Sequence, residues 1–228
     1  MRQLLLEWGA VKPQTLDSFV VGRNQELAAL LTLIANQAAN ALDQRFVTIW
    51  GDAGAGKSHL LHALEATGAA RYLPADAALS AFEWSPFIRL YLLDDCEALP
   101  PESQIAAFAL YNQIREAGGV LVACADKPPA QLNLREDLRT RLGWGLIYQL
   151  HGLSDEEKID ALTQSAQARG LNLSAGVLPY LLTHFRRDMQ SLSTMLDALD
   201  RYSLETQRPI TMPLLRELLQ LGDLEKST

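Results

Sequence analysis

Gly51-Asp52-Ala53-Gly54-Ala55-Gly56-Lys57-Ser58 is the stretch on which the reading of this chain turns. It fits the phosphate-loop pattern G-x-x-x-x-G-K-[ST], and the spacing has a chemical reason. Glycines let successive backbone N–H groups converge on phosphate oxygens, and a helix that starts at the lysine turns its positive end to the same point. Lys57 is then placed to reach the outer phosphates, and the Ser58 hydroxyl to hold Mg2+. The context agrees, with a compact strand-like run, Phe46–Trp50, before the loop and a helix-like stretch, Lys57–Thr67, after it. The competing reading is a glycine-rich turn with an exposed lysine. A chance match in a chain of this size is on the order of one in a hundred.

Downstream, Leu90-Tyr91-Leu92-Leu93-Asp94-Asp95 is an apolar strand that ends in two carboxylates. Strands often end in aspartates that cap the next turn. Behind a phosphate loop the same pair suits Asp94 to hold Mg2+ through water and Asp95 to orient or deprotonate an attacking water.

Other strand candidates are Arg71–Leu73, Ile88–Leu93, Val120–Ala123 and Leu146–Leu150. A helical stretch, Glu102–Glu116, is ended by Gly118-Gly119, and leucines and alanines recur at helical spacing from Arg23 to about Asn40. Strands alternating with helices predict an α/β class, a parallel sheet covered on both faces. After His151 the character changes. Ser154-Asp155-Glu156-Glu157 is a capping box, Arg169-Gly170 a helix stop, and further helices fall near Leu178–Phe185, Met189–Thr206 and Pro213–Leu221. The expected organisation is an N-terminal tail over 1–13, a nucleotide-binding α/β domain over 14–151, a small all-helical lid over 152–221 and a C-terminal tail over 222–228.

The 228 residues are 48% hydrophobic and 21% charged, ordinary for a soluble globular chain that can bury its own core. Net charge is −7, and that acidic balance makes nucleic acid a poor default partner. The longest uncharged stretch, Leu27–Leu42, is interrupted by asparagine and glutamine, and the N-terminus lacks a secretory pattern, so the expected compartment is the cytoplasm, without a membrane. Cys96 and Cys124 lie in or beside apolar runs and lack metal-site spacing, which suits reduced core thiols. His59 and His62 stand at i, i+3 with no carboxylate spaced to complete a metal site, and Trp50, Trp84 and Trp144 read as core or interface anchors.

Several segments together resemble the AAA+ module of the DnaA family of replication initiators. They are Thr15-Leu-Asp-Ser-Phe-Val-Val-Gly22-Arg-Asn24, the loop Gly51–Ser58 with His59-Leu60-Leu61, and Arg139-Thr-Arg141-Leu-Gly-Trp144-Gly145, which is similar to that family's arginine-finger box. Ala125-Asp126 through Leu132 takes the sensor 1 position. Pro128-Pro129-Ala-Gln-Leu-Asn-Leu134, Leu153-Ser-Asp-Glu-Glu-Lys158 and Leu196-Asp-Ala-Leu-Asp-Arg201 are similar to the Hda group within it, the regulatory inactivators of DnaA.

The resemblance implies an AAA+ fold with ADP or ATP and Mg2+ as ligands. It places Val21, Gly51, Gly54, Ala55, Gly56, Lys57, Ser58, His59, Asp126 and Gln190 around the nucleotide, and Ser58 and Asp94 at the metal. Arg141, with Arg139 and Arg135 nearby, takes the place of a finger that acts in trans on a neighbour's nucleotide, and Asp95 that of the catalytic carboxylate. Gln3-Leu4-Leu5-Leu6-Glu7-Trp8 is similar to a sliding-clamp-binding peptide, with Gln3, Leu4, Leu6 and Trp8 as its contacts. The implied partners are a DnaA initiator and the DNA polymerase III sliding clamp, with DNA reached only through the clamp and the protein nucleoid-associated by that route. A homo-oligomer is compatible with the family.

The pattern is broken in places. Gln190 stands where the family has its sensor 2 arginine, so contact with the protein's own phosphates weakens and the nucleotide is expected to serve mainly as a structural ligand. Glu7-Trp8 replaces the usual Pro-Leu. Too few residues separate Tyr72 from Leu90 for the initiator's helical insertion, and the chain stops seven residues after Leu221, where DnaA continues into a helix-turn-helix domain. The expected function is negative regulation of replication initiation, by stimulating hydrolysis of DnaA-bound ATP from a clamp-bound position. The alternative is a helicase loader or motor acting on single-stranded nucleic acid, like DnaC and IstB, with a truncated initiator third.

Overall fold

The computed structural model describes residues 14–37, 39 and 43–225. The clamp-binding residues expected at Gln3, Leu4, Leu6 and Trp8 lie outside this range. The chain divides after Gly152 into an N-terminal body and a C-terminal unit from Leu153, one residue beyond the boundary expected at His151.

In the body, five strands form one sheet: β1 (Phe46–Trp50), β2 (Ala70–Leu73), β3 (Leu90–Leu93), β4 (Val120–Ala125) and β5 (Leu146–Gln149). Their order is β2-β3-β4-β1-β5, and every pairing is parallel. The helices are α1 (Gln25–Ala35), α2 (Lys57–Glu65), α3 (Pro101–Ala117) and α4 (Glu136–Leu142). The apolar runs that looked continuous in sequence are period-two strands buried on both faces. Leu90, Leu92, Val120, Val122, Val47 and Ile49 pack with Leu27, Leu31, Leu60 and Leu64 of α1 and α2. Tyr91, Leu93, Leu121, Ala123 and Phe46 face the other way, toward Leu110, Tyr111, Ile114 and Leu138 of α3 and α4. Because all strands run the same way, the segments that follow β1, β3 and β4 emerge at one end of the sheet, where ligands of open α/β folds bind.

The C-terminal unit holds α5 (Asp155–Ala168), α6 (Val177–His184), α7 (Met189–Thr206) and α8 (Met212–Glu225) around Leu162, Leu181, Leu192, Leu196, Leu199 and Leu214. The capping box is formed. The Ser154 hydroxyl accepts from Glu157 N at 3.1 Å, and the Glu157 carboxylate accepts from Ser154 N at 2.7 Å. Gly170, at φ +72°, ends the first helix as its sequence requires.

The structure corrects some expected boundaries. α1 stops at Ala35, short of Asn40, because Gln37 takes a left-handed φ of +57°. α8 runs to Glu225, so the tail expected over 222–228 begins as helix; Gly222 costs a helix about 1 kcal/mol relative to alanine, too little to stop one. α4 went unread because four of its seven residues are charged, which leaves no apolar periodicity to detect.

Two glycines bracket Trp144 with different constraints. A Cβ on Gly145 would lie 1.8 Å from the Phe46 carbonyl oxygen, whereas one on Gly143 would meet Thr140 O at 3.4 Å, an ordinary contact. Gly145→Ala is expected to destabilise the protein by about 3 kcal/mol or more, since β5 must move away from β1. Gly143→Ala should stay within about 0.5 kcal/mol of the parent. Urea unfolding midpoints check both, and equal midpoints would contradict the close approach.

Candidate functional site

The phosphate loop is held at its start by the sheet. Gly51 N donates to Ala125 O of β4 at 3.2 Å, and the Gly51 Cα lies so near β5's exit that an added Cβ would meet Leu150 O at 2.5 Å. Gly54 at φ +77° and Gly56 at φ +108° supply the left-handed turns. α2 then begins at Lys57 with no side chain capping its N-terminus. The largely buried Lys57 ammonium donates to the loop's own carbonyls, Gly51 O at 2.7 Å and Asp52 O at 3.1 Å. Open helix-end N–H groups, glycine backbone and a lysine beside them fit a polyphosphate in charge and donor count.

Asp94 and Asp95 follow β3. Asp94 is buried, and donors engage both its oxygens: the Tyr72 hydroxyl reaches Oδ2 at 2.7 Å and Asp95 N reaches Oδ1 at 3.0 Å. Each carboxylate oxygen of Asp94 keeps a further lone pair, so it can still accept from another donor such as a metal-bound water. Asp95 sits in the left-handed region, φ +47°, an uncommon position for a side-chain-bearing residue that recurs at functional sites. Burial first, and then the neighbouring Asp94 charge, push its carboxyl above the ordinary range, while Lys57 pulls it back. The Tyr72 phenol is pushed up by its own burial and by its bond to Asp94.

Asp126 follows β4 at the same end of the sheet. Its N–H donates to Glu97 Oε2 at 3.2 Å, and its carboxylate lies 3.7 Å from Lys127. His59, expected near the nucleotide, is turned to the N-terminal segment, with Nε2 3.2 Å from Thr15 O and 3.4 Å from Ser18 Oγ; burial lowers its pKa. Val21 contributes its carbonyl to Asn24, whose buried amide in turn bridges to the backbone of His151 at 2.9 and 2.8 Å. Ala55 lies in the loop, its N–H on Asp52 O. Gln190, the second residue of α7, belongs to the C-terminal unit, where it is exposed and its carbonyl accepts from Thr194. Cys96 and Cys124 are fully buried thiols pushed up by burial, as reduced core cysteines should be.

Arg141 lies elsewhere in the body, in the last turn of α4. That short helix is fixed at both ends by polar residues of the core. Gln104 accepts from Arg135 N at 2.9 Å and donates to Leu99 O at 2.8 Å; the buried Thr48 hydroxyl of β1 donates to Leu142 O at 2.8 Å. Arg135 is spent on Asp137 through two bonds, 3.2 and 2.9 Å. Arg141 instead lies among rings, 4.0 Å from the Trp144 centroid, 5.6 Å from Phe108 and 5.9 Å from Tyr111. Its Nη1 is buried and has no hydrogen-bond partner among the described residues. An open hollow of about 640 Å³ adjoins it, between Phe108, Arg135, Asp137, Thr140 and Trp144.

Sequence reasoning missed Tyr72, Glu97, Phe108 and Tyr111, and it did not pair Trp144 with Arg141. No motif marks Tyr72, whose contact depends on β2 pairing beside β3. Among the described residues no cluster of three or more metal-binding side chains occurs, and no helix is long and apolar enough to cross a membrane.

Known proteins share this fold. The bacterial DnaA ATPase domain model matches residues 11–76, and the Hda lid domain model matches residues 155–219. Domain III of Thermotoga maritima DnaA is similar at a TM-score of 0.69 and 20% identity, over 93% of this chain and 98% of that one. AMPPCP-bound DnaA from Aquifex aeolicus is similar at 0.67 and 20%, over 86% and 68%. A Thermotoga maritima RuvB variant follows at 0.65 and 13%, over 93% and 73%. The parallel sheet, its flanking helices and the helical C-terminal unit are those of an AAA+ protein. The two family matches, one at each end, support an Hda/DnaA-like protein of that class. The DnaA match stops at residue 76, so the parts given to Asp94, Asp95, Asp126 and Arg141 rest on their own geometry.

The raised Asp95 carboxyl has a stability consequence. A carboxyl whose folded pKa exceeds its unfolded one weakens folding above that folded pKa, and the penalty fades as pH falls through it. Asparagine tolerates the left-handed backbone. Asp95→Asn should therefore raise the urea midpoint at neutral pH, and the gain should vanish below about pH 3.5, where aspartate is protonated folded or unfolded. A gain that persists in acid would show another origin.

Proposed function

We propose that the chain binds an adenine nucleotide at the Gly51–Ser58 loop and regulates replication initiation by presenting Arg141 to the nucleotide of a DnaA partner. The observation that carries this reading is the state of Arg141. Its guanidinium sits on a helix pinned at both ends, beside an open hollow, with a buried donor that finds no acceptor among the described residues. A guanidinium with no ion pair among the described residues suits an anion, and phosphoryl oxygens of a neighbouring molecule match its donor geometry. Beside a γ-phosphate it neutralises charge developing on the transferring oxygens, which accelerates hydrolysis by about 10³–10⁵.

The chain's own nucleotide has a supporting part in this reading. Lys57 and the α2 N-terminus hold its phosphates, and Ser58 and Asp94 hold Mg2+, which supplies charge neutralisation at the phosphates. Asp95 orients water, and the uncharged Gln190 leaves intrinsic hydrolysis weak, so the resident ligand, ADP or ATP, mainly fixes the fold. Gln3, Leu4, Leu6 and Trp8 tether the protein to the sliding clamp, which brings it to DNA indirectly and gives the activity of a negative regulator. The protein works in the cytoplasm.

Lys57→Ala should weaken ADP binding at least tenfold in calorimetry, since it removes the one cation of the loop. Arg141→Ala should leave ADP binding unchanged while abolishing stimulation of DnaA-bound ATP hydrolysis, and Gln3→Ala should remove only the clamp-dependent part. Full stimulation by Arg141→Ala would overturn the trans assignment. Strong ATPase activity of this chain alone on single-stranded DNA would point to a loader instead.

A further inference from the structure

We propose that Trp144 is the positioning residue that holds Arg141 in its working orientation, by stacking on the guanidinium face and so leaving the in-plane N–H groups other than the buried Nη1 to meet phosphate. The inference rests on the reading of Arg141 as a finger, and it adds the device that aims it.

A long arginine side chain at a protein surface samples many rotamers, and a finger works only if it is held near one of them. Carboxylates usually fix arginines, but a carboxylate uses the in-plane N–H donors that a phosphate needs. Of the two carboxylates that line the hollow with Arg141, Glu136 and Asp137, the second is engaged by Arg135 through two hydrogen bonds, and neither forms an ion pair with Arg141 among the described residues. What lies against Arg141 is aromatic. The indole of Trp144, the strongest cation–π partner among the side chains, is the closest ring at 4.0 Å, with Phe108 and Tyr111 farther off at 5.6 and 5.9 Å to their centroids.

The indole is itself held in place. Trp144 N donates to Arg141 O at 3.1 Å, so ring and guanidinium share one tight turn. Gly145 behind it abuts the Phe46 carbonyl, which ties that turn to β1. Arg115 of α3 also lies over the indole, 5.4 Å from its centroid. Yet Trp144 is 54% exposed, an unusual position for a residue whose only task is filling the core.

The test compares Trp144→Phe, which keeps an aromatic face, with Trp144→Leu, which keeps apolar bulk alone; Trp144→Met is a second flexible replacement should the leucine variant fold poorly. One readout is the order parameter of the Arg141 Nε–H group from 15N relaxation, which needs no partner. The other is the maximal stimulated hydrolysis rate, read separately from the concentration giving half of it. Trp144→Leu should mobilise Arg141 and lower the maximal rate about tenfold, with the half-maximal concentration unchanged, and Trp144→Phe should restore most of both. An Arg141 equally ordered in all variants would overturn the proposal. So would a loss confined to the half-maximal concentration, which marks Trp144 as a partner contact. If the parent protein stimulates nothing, the trans reading fails, and the relaxation data alone still decide whether Trp144 orders Arg141.

Discussion

β1 is the strand on which both chemical features depend. It lies between β4 and β5, and its C-terminal end delivers the phosphate loop, fastened by Gly51 N to Ala125 O and by Leu150 N to Trp50 O at 2.7 Å. Its middle fixes α4 through the Thr48 hydroxyl on Leu142 O, and its start is abutted by Gly145, next to Trp144. A small displacement of this strand would move the loop and Arg141 together. Parallel pairing on both sides, with apolar side chains on both faces, makes such a displacement costly.

Each feature carries an unmet electrostatic demand. In the loop, a lysine bonds to the carbonyls of its own turn, and an uncapped helix end stands beside it. At Asp94 and Asp95, adjacent carboxylates share a partly buried corner, and a phenol from β2 satisfies one of them. On α4, a guanidinium is stacked on a ring rather than paired with an acid. Proteins satisfy buried polar groups where they can, and these departures fall at the residues that the proposed function uses.

Most of the fold was legible because its signals are local. The loop's glycines, the apolar runs and the Ser154 capping box each declare an element within a few residues, and the structure has them all. The family match at each end agrees with the resemblance read from Gly51–Ser58 and from the segments after Leu153. What stayed hidden depends on contacts between distant residues. Tyr72 meets Asp94 only because β2 lies beside β3; Gln104 and Thr48 reach α4 from elsewhere in the chain. Trp144 was visible as an anchor, but not as a partner of Arg141, because a spacing of three residues says nothing about which faces meet at a helix end. The ring of His59 turns to Thr15 and Ser18, a contact that its place just after the loop does not announce.

The central claim is that Arg141 acts on a nucleotide held by another protein. Its most direct test is a single-turnover experiment with labelled ATP preloaded on DnaA, this chain holding unlabelled ADP, and sliding clamp loaded on DNA. The account predicts that labelled ATP on DnaA is converted to ADP faster when all three are present, and no faster when the chain carries Arg141→Ala. Conversion at the unstimulated rate, or acceleration that survives the loss of Arg141, would contradict it.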